Sequence, residues 1–201
     1  MARVEELLAE HGTTYAAEAG ITLADKPQPL YRLLVLTTLL STRINAELAV
    51  AAAKELPRSP SAMRASTWQE RVDALGRAHY VRYDESTSTH LGEAADFVRE
   101  RYRDDLRRMN DAAGKDPRQL EKLVAEFPRI GRTGAQIFCR EAQAVWPWLR
   151  PYFDQRALRG ADKAGLPGDP RRLARLVSGD DVARLAAALV RVGLAKTGRR
   201  R

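Results

Sequence analysis

Cysteine, isoleucine and long apolar runs are all scarce in this chain of 201 residues. The single cysteine, Cys139, rules out an intrachain disulfide and cannot supply the ligand sets that structural zinc or an iron–sulfur cluster requires, so no metal is expected and a reducing compartment is. Only four isoleucines occur, and no alternating apolar–polar run exceeds about five residues, which leaves little to build a sheet from. The longest apolar run, residues 33–40, holds two threonines and falls far short of the roughly 18 residues a membrane helix needs. Residues 1–10 carry three glutamates and a short amphipathic pattern, unlike a signal peptide, so an intracellular, cytoplasmic location is expected.

What is present is charge and helical periodicity. Charged residues make up 30% and hydrophobic residues 44%, a composition that folds, with a net charge of +8. Residues 120–201 hold 17 Lys or Arg against 8 Asp or Glu, a net +9, whereas the first 119 residues hold 17 against 18. A basic back half suits a polyanionic partner, because a localised cationic face releases counterions from phosphate. Arginine outnumbers lysine 28 to 6, and a merely solvated basic surface is the alternative at this point.

Apolar residues recur at helical spacing throughout, so the fold class expected is all-α. Pro27 and Pro29 close an N-terminal segment, and residues 30–56 are apolar on nearly every face, as in one central buried helix. A turn over residues 57–61 follows. Thr67 and Glu70 form a capping-box pattern for a helix ending before Gly76. A linker with His79, Tyr80 and Tyr83 leads to a helix over residues 86–102, and Asp116-Pro117 starts another that closes near Phe127. Further helices are expected over 133–145, after Asp154, over 171–177, and over 180–192, the last capped by Ser178 and closed by Gly193, with a short basic tail over 197–201.

Between two of these helices lies Phe127-Pro128-Arg129-Ile130-Gly131-Arg132-Thr133-Gly134-Ala135. So short a turn would aim the amides of Ile130, Gly131 and the following helix start outward, a ready site for phosphate, with Ile130 tucked between the helices. This segment resembles the helix-hairpin-helix of the DNA glycosylase superfamily that includes endonuclease III, whose hairpin reads Leu-Pro-Gly-Val-Gly. The likeness extends along most of the chain. Leu39 to Asn45, Leu-Leu-Ser-Thr-Arg-Ile-Asn, is similar to that family's Leu-Leu-Ser-Ala-Gln. Ala74-Leu75-Gly76 followed by aromatics resembles its Ile-Gly-Leu-Tyr loop, and an aspartate, Asp154, follows the hairpin by about 20 residues.

The resemblance implies a two-lobed helical DNA glycosylase fold, with residues 26–137 as a central lobe ending in the hairpin and residues 1–25 plus 138–201 as the second lobe. It implies a hydrolase of base excision repair, a glycosidase removing a damaged or mispaired base from double-stranded DNA, acting as a monomer and, in a bacterium, nucleoid-associated. Arg129, Ile130, Gly131, Arg132, Thr133 and Gly134 would bind DNA. Asp154 would be catalytic: cleaving the glycosidic C–N bond builds positive charge on the sugar, which a fixed anion stabilises while orienting water. Aspartate before a helix is also an ordinary N-cap. Arg43 would fill the gap left by a flipped base, and His79 and Tyr80 would wedge the opposite strand; each also reads as a surface or core-edge residue. Trp146 and Trp148 read as core packing ahead of base stacking.

Three departures refine this. Bifunctional members carry a hairpin-helix lysine that attacks the sugar; Thr133 stands there, and Lys163 lies about two to three turns beyond Asp154, so an intact abasic product without lyase activity is expected. Cys139 alone cannot hold the iron–sulfur cluster of many members. The family's first hairpin glycine is Arg129, which at positive φ would cost about 1 kcal/mol, so either the turn differs from the family's or the guanidinium offsets the strain by reaching a phosphate. Alkylated-base members, whose hairpin reads Phe-Pro-Gly-Ile-Gly-Arg, lack both cluster and lysine, and the adenine-removing branch is disfavoured because no carboxylate occurs over residues 30–46. No cofactor is expected beyond a monovalent cation on the hairpin carbonyls, as in some relatives. The alternatives are a non-catalytic helix-hairpin-helix protein binding distorted or abasic DNA, and a helix-turn-helix regulator, for which residues 135–138 offer no polar recognition face.

Overall fold

A computed structural model describes residues 2–195; the expected basic tail over 197–201 lies outside them. The helices are α1 (Ala2–His11), α2 (Tyr15–Glu18), α3 (Pro27–Leu40), α4 (Ala46–Glu55), α5 (Pro60–Ala65), α6 (Trp68–Arg77), α7 (Asp84–Tyr102), α8 (Arg107–Ala112), α9 (Pro117–Ala125), α10 (Arg132–Ala142), α11 (Gln155–Lys163), α12 (Pro170–Ala174) and α13 (Asp181–Leu194), with a 3-10 turn at Pro147–Leu149. No strand occurs among the described residues, so the chain is all-α. No helix there is long and apolar enough to cross a membrane.

Local chemistry explains most starts. Proline occupies the first turn of α3, α5, α9 and α12, where its missing N–H is no loss. Side-chain oxygens of Thr14, Asn45, Ser59, Asp116, Asp154 and Asp169 each accept a free amide at a helix start. Thr67 and Glu70 form the expected capping box.

Other starts and stops differ from expectation. Residues 30–56 are two helices, because Ser41 Oγ and Thr42 Oγ1 donate to the Thr37 and Leu39 carbonyls at the end of α3 while Asn45 accepts the Glu47 N–H to begin α4. Gly76 stays inside α6, which ends one residue later at Arg77, just before His79 takes φ 59°. The turn over 57–61 runs into α5, and α8 was not anticipated. Ser178 contributes only its carbonyl to the Asp181 N–H, at 2.8 Å, and Gly193 lies inside α13, a Cβ there sitting 3.0 Å from the Arg156 carbonyl oxygen.

Two apolar cores form. The larger is centred on α3, whose Leu30, Leu33, Leu36 and Leu39 are wholly buried. The smaller joins Val4 of α1 to α11, α12 and α13. The sequence places lobe boundaries at 25/26 and 137/138, the second of them inside α10. The apolar clusters separate at Tyr152 and Phe153, and Tyr15, Ala16 and Ile21 pack with the larger one.

The smaller core depends on a close approach of α11 to α13. A Cβ on Gly160 would overlap the Leu189 carbonyl oxygen. Gly160→Ala should therefore lower stability by about 1–3 kcal/mol, despite alanine's better helix propensity. Urea denaturation checks this: an unchanged midpoint would mean the helices part freely.

Candidate nucleic-acid interface

The tight bend between α9 and α10 is built by two short-range bonds. Phe127 N–H donates to the Val124 carbonyl at 3.2 Å and Ile130 N–H to the Phe127 carbonyl at 3.0 Å. Arg129 takes φ 66°, the left-handed geometry that suits the glycine of the resembled hairpin. Ile130 is 2% exposed, a peg beneath the turn. Its N–H is thus taken, which removes Ile130 from the outward-facing donors.

The free amides begin one residue later. Gly131 is the N-cap of α10 and caps nothing with a side chain; Ala135 N–H is the first to bond back, to the Gly131 carbonyl at 3.0 Å. The N–H groups of Arg132, Thr133 and Gly134 therefore have no partner among the described residues. Gly131, Arg132 and Thr133 are exposed, as is Arg129, and neither arginine has an ion-pair partner among the described residues. Gly134 is buried, since a Cβ would overlap Ser41 Oγ and Ile130 Cγ2.

That last contact positions a second segment beside the hairpin. Ser41 begins the turn that carries exposed Arg43. Thr42, next in the turn, shares a 2.7 Å hydrogen bond with the Tyr80 hydroxyl, so the loop between α6 and α7 lies alongside as well. Tyr80 is wholly buried, 3.4 Å from Thr87 Oγ1 through the same hydroxyl. It anchors the loop, and the wedge expected of it is corrected accordingly: its ring has no face to offer a base. His79 and Val81 flank it and are exposed, Val81 at 63%. Arg82 lies over the Tyr83 ring at 5.2 Å. Hairpin, turn and loop thus converge, bringing Arg43, Arg129, Arg132 and His79 to neighbouring segments. Trp146 and Trp148 are tied inward, through Nε1 to Asp25 and Asn110.

Asp154 does not open onto a cleft. Its side chain is 1% exposed; Oδ1 accepts the Ala157 N–H at 2.9 Å and Oδ2 accepts Arg140 Nη1 at 2.5 Å. Arg140 is equally buried, and its Nε has no partner. Both carboxylate oxygens are engaged and the side chain faces no solvent, so the carboxylate has no open side from which to orient water. The lead-in is fastened too: Gln143 Nε2 donates to the Tyr152 carbonyl at 2.8 Å while its Oε1 accepts the Tyr152 N–H at 2.9 Å. Beside it Glu141, also buried, accepts the N–H groups of Tyr15 and Ala16 at α2, and burial pushes its carboxyl above the usual range. The sequence signal for this buried network was an Arg-Glu pair inside the apolar stretch of residues 137–142.

A solved structure of a trapped endonuclease III–DNA covalent intermediate, an estranged-adenine complex, matches with a TM-score of 0.50, over 94% of this chain and 84% of that chain. The fold is that of endonuclease III. Sequence identity is 12%, so the likeness is one of architecture, and residue roles rest on the geometry above. No family model matches the sequence, and neither does any curated protein. Within this fold Thr133 stands exposed at the second helical position of α10, with a hydroxyl and no amine. A monovalent cation on the hairpin would be held by backbone carbonyl oxygens, donors that suit such an ion, since residues 127–134 carry no carboxylate; the Phe127 carbonyl among them already accepts the Ile130 N–H.

Proposed function

We propose that this protein binds duplex DNA through its hairpin, at distorted or damaged sites, without cleaving the glycosidic bond. The exposed, uncapped start of α10 carries this reading: three free amides flanked by Arg129 and Arg132 suit a phosphate, and Arg43 and the 79–82 loop extend the same surface. The closed Asp154 site supports the non-catalytic half. Fluorescence anisotropy on intact, mismatched and abasic duplexes should give salt-dependent binding, with Arg132→Glu weakening it on every duplex and lowering the salt slope by about 1. Binding that ignores salt and Arg132 would overturn the proposal.

A second reading, a monofunctional base-excising enzyme, is favoured by the endonuclease III fold together with the spacing from hairpin to Asp154. It requires Arg140 to leave the carboxylate once DNA is bound. Duplexes carrying uracil, alkylated, oxidised or mismatched bases, followed by alkali, separate the two readings. No cleavage is expected from the first; alkali-dependent cleavage without a borohydride-trapped adduct supports the second.

A further inference from the structure

On the side of the hairpin facing α9, a cavity of about 510 Å³ opens between α9 and α10, within the size range of small-molecule sites. Arg118 and Lys122, one turn apart on α9, and Arg132 at the start of α10 supply three exposed cations, none with an ion-pair partner among the described residues. Half-buried Glu121 and Gln136, exposed Ala125 and buried Ala135 complete the lining. The Tyr152 hydroxyl donates to Glu121 Oε1 at 2.7 Å, fixing the carboxylate, while Oε2 has no hydrogen-bond donor among the described residues.

We propose that this cavity binds a nucleotide bearing a phosphate monoester. Three cations against one carboxylate leave a net positive lining that matches a phosphate dianion better than the single charge of a backbone diester. Glu121 Oε2 accepts from an amino or sugar hydroxyl group, Gln136 both donates and accepts, and exposed Ala125 leaves space for the face of a base. A free nucleoside monophosphate and the 5′-phosphorylated end of a DNA strand share this chemistry. The proposal stands apart from duplex binding by the hairpin, although Arg132 borders both.

Calorimetry with dAMP, dCMP and inorganic phosphate tests it on the full chain. Saturable 1:1 nucleotide binding is expected, weakened at least tenfold by Arg118→Glu or Lys122→Glu, both exposed positions whose replacement should leave the thermal melt in place. Glu121→Gln keeps an acceptor for Tyr152 and removes the one anion of the lining, so it should weaken nucleotide binding while inorganic phosphate binding holds or tightens, a divergence that a change in electrostatic potential alone does not produce. Competition by 5′-phosphorylated but not 5′-hydroxyl oligonucleotides identifies a strand end as the source, and its absence identifies the free nucleotide. Absent saturation, or nucleotide binding indifferent to Lys122→Glu, overturns the proposal, whereas duplex binding retained in that case leaves the hairpin reading intact. Duplex binding lost only in Gly131→Asp, with dAMP binding preserved, separates the two in the other direction.

Discussion

Replacing Arg140 by methionine should destabilise the protein by about 3–5 kcal/mol, since it strands the buried Asp154 carboxylate with no counter-charge. Asp154→Ser should cost a comparable amount from the other side: serine still accepts the Ala157 N–H, but the guanidinium of Arg140 is left buried and unpaired. The double variant should recover most of either loss, because a buried ion pair replaced as a unit is often near neutral. Urea midpoints of the four proteins give the coupling. Additive effects would mean that the two side chains do not depend on each other. The same pairing governs how any activity assay on Asp154 is read: Asp154→Asn also removes Arg140's counter-charge, so loss of product must be set against the melting curve of the same variant.

The second large effect is at Gly131, and its two halves have opposite sign. Gly131 has φ −82° and ψ −168°, extended backbone open to any residue, and a Cβ there meets nothing within 4 Å. Aspartate at this N-cap would accept one of the free amides and complement the helix dipole, so Gly131→Asp should raise stability by a few tenths to about 1 kcal/mol. It would also place an anion where a phosphate is proposed to sit. DNA affinity should fall at least tenfold, about 1.4 kcal/mol. Gly131→Ala adds bulk without charge or cap and serves as control. Thermal melts and anisotropy on the same preparations decide the matter; undiminished DNA affinity in Gly131→Asp would remove the hairpin from the interface.

Legibility in the sequence followed the range of the interactions involved. Caps at Thr67, Asp116 and Asp154 were readable because the acceptor and the amide it serves lie two or three residues apart. The division between α3 and α4 was hidden because leucines and alanines run on either side of it, and only the polar stretch from Ser41 to Asn45 marks the break. Tyr80 stood out as an aromatic in a loop, yet its burial is decided by Thr42, 38 residues away in sequence. The Asp154 position was legible as a helix start. Its closure was not, since that depends on an arginine one helix earlier, on a face shared with Ile137. The hairpin pattern leaves open whether Arg129 takes positive φ, and the structure shows that it does; the nearby cavity is not legible at all, because it requires two helices to be set side by side.

The helix α10 carries its polar attachments at both extremities. Exposed amides stand at one end, while Arg140 and Glu141 at the other hold the Asp154 carboxylate and the start of α2, with Gln143 just beyond fastening Tyr152. Eleven residues of helix make a strut about 16 Å long. A load applied where the bend meets a ligand would travel along this rod as a rigid displacement and be felt first at the fastenings of its far end, so the two ends are mechanically one part.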